Sequence, residues 1–240
     1  MSFKKISFFL LLLCFSLVSN AQTVDEIITR YIAFTGGNDR WKTIKTMVIS
    51  GTYNYGGMEF PFISYSKAPD LYKYIVGGNG KHFAQAFDGK KGWKIDEFKN
   101  ETKEIILTGR PALAMANEAD VELESPFINY QNKGCQAIKE GKDTIDGKAC
   151  FKVVFIRNKA DTETYFFNMN DFELVKKQAV SKNAELDNSM LETFYSNYQT
   201  VQGLKMPFKS VSKIKEQTIL TITIKKVELN IPIQDSIFKP

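Results

Sequence analysis

The runs FYSNYQTVQGLKMPFKSVSK, from Phe194 to Lys213, and EQTILTITIKKV, from Glu216 to Val227, decide the fold. In the second run Leu220, Ile222 and Ile224 alternate with Thr221, Thr223 and Lys225. A period of two sends one set to each face of a strand. Gly203 sits between two β-rich runs, where a turn is expected, and Pro207 belongs near a strand's start or on an edge. The chain therefore ends in consecutive antiparallel strands with one apolar face. Most of the earlier chain reads as more of the same twisted sheet.

Upstream, Thr23 to Phe34 has the pattern of a helix. Thr23 and Glu26 have capping-box spacing, and Val24, Ile27, Ile28, Tyr31 and Ile32 form one apolar stripe. Gly36 and Gly37 supply the left-handed stop, and Asn38 to Lys42 carries Trp41 on a short turn or helical piece. Strands are expected over Thr46–Tyr55, Glu59–Lys67, Leu71–Val76, His82–Asp88, Trp93–Glu97 and Glu104–Leu107. The pattern then breaks. Pro111 can open a helix, Ala112 to Ala119 favours one, and Ser125-Pro126 restarts a segment ending at Tyr130. Strands resume at Cys135–Glu140, Ala149–Arg157, Thr164–Asn168 and Glu173–Gln178. Ile231-Pro232 ends the sheet, and Asp235 to Phe238 makes a terminal turn that tucks Phe238 inward.

Met1 to Ala21 has the layout of a secretory signal: Lys4 and Lys5, an apolar run from Phe8 to Val18, then Ser19-Asn20-Ala21. The apolar run is short for a membrane span, and Leu13 stands where a small residue should precede Cys14 in a lipid-anchored protein. Cleavage after Ala21 leaves residues 22–240 as one domain, with no linker or repeat. A formal net charge of +5, spread along the chain, does not point to nucleic acid.

Cys135 and Cys150 would remain. Asp146-Gly147 reads as a two-residue hairpin turn, which pairs Ile145 with Lys148 and Asp143 with Cys150. Cys135 then lies about eight positions further on, roughly 25 Å at about 3.4 Å per residue. A disulfide needs Cα atoms within about 7 Å, so two free thiols are expected.

Chemistry-bearing constellations are sparse. His82 is the one histidine, in an alternating strand beside Phe83, so a partly exposed strand residue is the plain reading. No zinc cluster, EF-hand spacing or phosphate loop is found; Gly77–Gly80 lacks the strand-to-helix context. Asp143 with Asp146, and Glu122 with Glu124, read as turn and surface carboxylates. Apolar surface is abundant instead. Phe60, Phe62, Tyr72, Tyr74, Phe83, Phe87 and Trp93 lie on consecutive strands. Met47, Ile49, Tyr53 and Tyr55 join them from the first strand, and Leu220, Ile222 and Ile224 from the last. Each alone is ordinary core. Together they exceed what one helix and two short ones can cover, so the sheet closes as a barrel or leaves an apolar cavity. The Pro111–Tyr130 insertion, with Leu113 and Met115, is the expected lid.

The helix ending in Phe34-Thr35-Gly36-Gly37, then Phe87-Asp88-Gly89-Lys90 with Gly92-Trp93, and Asp146-Gly147 followed by Cys150-Phe151-Lys152-Val153 carry a resemblance. So do Tyr195, Tyr198, Val201-Gln202-Gly203, Pro207 and the ending from Val227-Glu228-Leu229-Asn230-Ile231-Pro232 through Phe238 to Pro240. In their order and spacing they resemble the LolA-like periplasmic outer-membrane lipoprotein-sorting carriers. That resemblance implies an open, strongly curved antiparallel half-barrel, with an N-terminal helix and short lid-like helices on the concave side. It also implies a cavity for acyl chains. A strand arginine that holds the lid in those carriers has no matching position among Arg30, Arg40, Arg110 and Arg157.

The expectation is a non-enzymatic, monomeric periplasmic binder or carrier of lipid or lipoprotein acyl chains, with no cofactor, metal or nucleic acid. The alternative is an envelope sensor using the same cavity for lipid or a transient protein partner. A small-molecule enzyme on this fold ranks last.

Overall fold

The computed structural model describes residues 22–122, 125–158, 161–181, 186 and 188–240; the expected export signal, Met1–Ala21, and Glu124 lie outside them. The first helix, α1 (Val24–Phe34), starts where the sequence places it, with the Glu26 N–H donating to Thr23 Oγ1 at 3.2 Å. It ends in a Schellman motif. The Gly36 N–H donates to the Ala33 carbonyl and the Gly37 N–H to that of Ile32, with both glycines at positive φ. A one-turn helix, α2 (Asn38–Lys42), follows and buries Trp41.

The first wing of strands is β1 (Thr46–Tyr55), β2 (Met58–Lys67), β3 (Leu71–Gly78), β4 (Lys81–Asp88), β5 (Gly92–Asp96) and β6 (Glu101–Ile106). After α3 (Gly109–Glu122) comes a second wing: β7 (Gln136–Ile145), β8 (Lys148–Asn158), β9 (Asp161–Asn168), β10 (Leu174–Val180), β11 (Met190–Val201), β12 (Leu204–Ile214) and β13 (Gln217–Leu229). All thirteen form one antiparallel sheet, ordered β6-β5-β4-β3-β2-β1-β13-β12-β11-β10-β9-β8-β7. Each wing is a meander, and the wings join where β1 pairs β13. β6 and β7 stay unpaired edges, so the sheet is an open half-barrel. A sheet this wide curls because each strand twists against the next by roughly 20–25°.

The topology dictates a lid. β6 and β7 lie at opposite edges, so residues 107–135 must travel from one edge to the other. They do so across one face, which is the face α1 and α2 also cover. Ile27 and Ile28 of α1 pack with Phe151, Val153, Phe155, Tyr165 and Phe167; Trp41 packs with Met47, Leu204, Met206 and Phe208. Met115 and Ala119 of α3 pack on Tyr72. The two glycine motifs of the sequence meet here. A Cβ on Gly36 would stand 2.4 Å from the Gly203 oxygen, the Lys205 N–H donates to the Thr35 carbonyl, and the Arg40 guanidinium donates to the Gln202 carbonyl.

Several sequence expectations hold in detail. Asp143 faces Cys150 and Ile145 faces Lys148, across an Asp146-Gly147 turn with both residues at positive φ. Both thiols are free, Cys135 in the cluster under α1 and Cys150 in a separate cluster with Ile145, Phe166 and Val175. Pro207 is fourth in β12, and the ladder to β13 begins at Lys209, so its missing N–H breaks no pairing there. Other expectations need correction. β6 begins at Glu101 rather than Glu104, and β7 runs on to Ile145 rather than stopping at Glu140. In β13, Ser50 faces Lys226 while Gly51 faces Ile224, so Lys225 is an extra, bulged residue. The alternation therefore restarts, and Val227 and Leu229 share the face of Ile224. The terminal turn Asp235–Phe238 does bury Phe238, but on the opposite face, where the Trp93 Nε1–H donates to the Phe238 carbonyl at 2.7 Å.

Candidate functional site: the concave face

Directly opposed residues of neighbouring strands share a face. One register row runs Met58, Tyr55, Leu220, Ser212, Thr193, Lys177, Tyr165, Val153 across eight strands. A second runs Phe83, Val76, Phe62, Gly51, Ile224. Tyr53 faces Phe60 and Ile222, and Tyr72 faces Phe87 and Ser66, itself opposite Met47. Tyr74 and Ile49 are both opposite Ser64. Every strand residue singled out from sequence therefore shares the helix-bearing face, with one exception.

The exception is Trp93. It faces Ala86, in register with the convex side, and packs with Ala84, Ala86 and the half-buried Ile75 and Ile95. The cause is the β4–β5 loop. The Asp88 carboxylate accepts from the Lys90 and Lys91 N–H groups and holds the loop at a length that sets Gly92, not Trp93, opposite Phe87. One step of register moves a side chain through the sheet. Gly92 in turn makes room for the helix, since a Cβ there would stand 3.4 Å from Met115. Leu113, named with Met115 for the lid and its cavity, does not join it there. Two residues from Met115, it cannot share that residue's helical face, and it is 66 % exposed.

Met47, Tyr72 and Met115 are buried; Ile49, Tyr53, Phe60, Phe62, Tyr74, Phe83, Phe87, Leu220, Ile222 and Ile224 are half-buried; Tyr55 is exposed. Ile49 and Ile224 lean on the Trp41 cluster, and Tyr74 and Phe87 on the Met115 cluster. Tyr53, Phe60, Phe62, Phe83, Leu220 and Ile222 belong to none of the core clusters of the described residues. Two of these rings lie low. A Cβ on Gly51 would come within 2.9 Å of Phe62, and one on Gly78 within 2.8 Å of Phe60, so each ring rests over a glycine. This part of the concavity is apolar and only half-buried.

The insertion divides into unlike halves. Its second half is a plug. Phe127 is 2 % exposed, with ring centroids 4.8 Å from Tyr165, 5.2 Å from Phe155 and 5.6 Å from Tyr31. Its first half, α3, is the lid, and among its described apolar side chains those of Met115 and Ala119 are buried. Polar contacts hold its ends: Arg110 Nη1 donates to Asn188 Oδ1, Asn117 Nδ2 to Asp161 Oδ2, and Lys133 Nζ pairs with Asp120, each within 2.9 Å. Glu118 of α3 acts electrostatically on both Tyr74 of β3 and Lys177 of β10. Those strands are six spacings apart, roughly 29 Å on a flat sheet at about 4.8 Å each. The sheet thus curls under α3, and the helix bridges its two wings.

Beneath α3 and the plug lies a cavity of about 310 Å³, lined by Tyr31, Trp41, Phe127, Met206, Tyr195 and Tyr198, and also by Glu118, Arg157, Glu163, Lys177 and Lys205. The sequence reading missed this charged group. Glu163 Oε2 accepts the Tyr165 hydroxyl at 2.7 Å and lies 3.5 Å from Arg157; its Oε1 lies 3.4 Å from Lys177 Nζ. Burial lowers the Lys177 pKa, but Tyr195, Glu163, Tyr165 and Glu118 outweigh it and hold the ammonium well above its usual range. Burial, aided by Tyr53 and Glu118, pushes the Tyr74 phenol far above its ordinary value. A signal was available: Lys176 and Lys177 are adjacent, and a strand must send one of them inward. His82 lies on the convex side, in register with Ala84 and Ala86, its Nδ1 2.7 Å from Glu97. Among the described residues no cluster of His, Cys, Asp or Glu is placed to hold a metal ion.

Comparison with protein-family models gives no match, and comparison with curated proteins gives none either. Solved structures do match. A DUF1329 family protein from Desulfovibrio piger superposes with a TM-score of 0.60 at 11 % identity, over 91 % of this chain and 98 % of that one. A LolA superfamily protein from Nitrosomonas europaea gives 0.57 at 12 %, over 92 % and 99 %. A candidate outer membrane lipoprotein-sorting protein domain from Vibrio parahaemolyticus gives 0.59 at 10 %, over 89 % and 95 %. The fold of this chain, from α1 to the terminal turn, is the fold of the LolA superfamily structures.

Proposed function

We propose that this protein is an exported, monomeric carrier or binder of lipid or lipoprotein acyl chains, acting in the periplasm after loss of residues 1–21 and without catalysing a reaction. One observation carries the reading: a continuous apolar stretch of the concave face that no core cluster claims. Tyr53, Phe60, Phe62, Leu220 and Ile222 are half-buried on the concave side and unclaimed by the core clusters. At about 25 cal/mol per Å², burying a few hundred Å² of acyl chain there contributes several kcal/mol, with no charged group required. α3 packs beside the site, on β3 to β5, through two buried apolar side chains, Met115 and Ala119, and three polar contacts, which are few interactions for a moving helix to undo. The Vibrio parahaemolyticus domain is linked to outer membrane lipoprotein sorting. Carrying that ligand class over to this chain is part of the proposal.

Native mass spectrometry of the gently purified protein tests it. A population heavier by the mass of an acyl lipid, lost on delipidation and restored by added lipid, is expected. A stoichiometric protein partner on a lipid-free chain would instead favour the sensor reading. A chain that takes up no amphiphile would overturn the proposal.

A further inference from the structure

Burial of the open stretch is graded along its strands. Opposed residues of β13, β1 and β2 form successive levels of the concave face. The lowest level is Leu229, Met47 and Ser66; the highest is Leu220, Tyr55 and Met58. Met47 is 2 % exposed and Met58 61 %. The helices account for the gradient. α2 brings Trp41 into one cluster with Met47 and Leu229, and Ile49 and Ile224 lean on that cluster from higher levels. α3 brings Met115 against Tyr72, level with Ser66, and Tyr74, level with Ser64, leans there too. Both helical contacts stop at or below the level of Ile224. The groove is therefore blind at the α2 end and open at the β1–β2 hairpin. From Gly51, opposite Ile224, to Tyr55 it runs about 14 Å at about 3.4 Å per residue. Ile49, Ile224 and Phe62 line the blind end, none of them charged, and the nearby Tyr74 hydroxyl is committed to Gln85 Oε1 at 3.0 Å. An ionised head carried there would lose its water and gain no partner. The open end is wet. Tyr55 and Met58 are exposed, and so is Phe98 at the turn between β5 and β6. The Phe98 ring stands 5.6 Å from Phe60, so this rim continues the apolar stretch, and neither helical cluster includes it.

We infer that an acyl chain enters this groove methyl end first, past the rim of Tyr55, Met58 and Phe98, and that its polar head stays at the rim in water. The inference rests on the acyl-chain reading and adds to it a direction and a ligand class. The class is acyl chains with an uncharged far end and a head of any size, because the head is never enclosed. Ile49 and Ile224 are then the floor that the terminal methyl meets.

The test displaces the uncharged fluorophore N-phenyl-1-naphthylamine from the full mature chain with four ligands of equal chain length. They are palmitate, palmitoyl-lysophosphatidylcholine below its micelle concentration, hexadecanol, and hexadecanedioate, which is charged at both ends. The lysophospholipid is expected to match palmitate within about threefold, and hexadecanedioate to need about tenfold more or worse, since its second carboxylate would have to give up water. Met58→Lys, at an exposed hairpin position that does not threaten folding, sets an ammonium beside the head and should shift the preference several-fold from hexadecanol towards palmitate. A head held elsewhere would leave that ratio where it was. Hexadecanedioate as effective as palmitate, a lysophospholipid that fails, or an unmoved ratio in Met58→Lys overturns the inference while leaving the acyl-chain reading standing. Displacement by none of the four overturns both.

Discussion

The two wings of the sheet carry similar apolar residues and use them differently. Under α1, the β8–β9 face is filled: Ile27, Val153, Phe155 and Phe167 are 0 % exposed and Phe127 is driven among them. On β13, β1 and β2 the equivalent face holds Leu220, Ile222, Tyr53, Phe60 and Phe62, all half-buried, with two rings laid over glycines. Composition does not separate the halves. Coverage does, because the plug and α1 sit over β8 and β9, while α2 covers only one end of β1 and β13 and α3 packs on β3 to β5. A protein selected for stability alone would fill both. The face of β13, β1 and β2 stays suited to a guest, next to a charged cavity that can orient it.

The largest effect that could break this comparison is on stability. Phe127→Ala should cost about 3–5 kcal/mol in equilibrium unfolding, since the plug packs too tightly to collapse. Phe62→Ala on the open wing should cost under about 1 kcal/mol. Equal costs would mean that the open wing is ordinary core. Binding should invert the order: Phe62→Ser and Ile222→Ser weaken uptake of an acyl probe severely while the melting temperature barely moves. The convex face gives a smaller, control effect. Trp93→Phe breaks the hydrogen bond to the Phe238 carbonyl and should cost about 1 kcal/mol, with binding unchanged. If binding fell with it, Trp93 would have to reach the concave side after all.

The smallest effect concerns pH. Burial alone would raise the Glu192 pKa, but hydrogen bonds from Gln178 and Lys176 outweigh it and hold the carboxyl below the usual range. A depressed folded-state pKa stabilises the protein above the unfolded value of about 4.3 and is lost as pH falls through the folded one. Glu192→Gln should therefore flatten the acid limb of the stability curve below about pH 4.3 and leave ligand affinity at neutral pH unchanged. An unaltered acid limb would assign that stability to other carboxylates.

Much of the architecture was legible in short-range signals. Asp146-Gly147 and Gln202-Gly203 set hairpin registers, Thr23 and Gly36-Gly37 bounded α1, and period-two alternation grouped the aromatics of each strand on one face without telling which face lies inward. The failures share a cause. Trp93 went to the wrong face because loop length, not strand pattern, fixed its register. Leu113 and Met115 were treated alike although two residues apart on a helix. The charged cavity was invisible because Glu118, Arg157, Glu163 and Lys177 come from three strands and the lid; only their registers bring them together. Local spacing announces elements. It does not announce which elements the curl of a thirteen-stranded sheet will bring face to face.

The central claim is that the open wing, not the filled one, receives the acyl chain. Photolabelling with a palmitate bearing a terminal diazirine, followed by peptide mapping of the mature chain, tests this directly. Labels should fall on the concave residues of β1, β2 and β13, around Tyr53, Phe62 and Ile222, and disappear when unlabelled palmitate is added in excess. Labels confined to β8 and β9, or to the convex face around Trp93, would contradict the account.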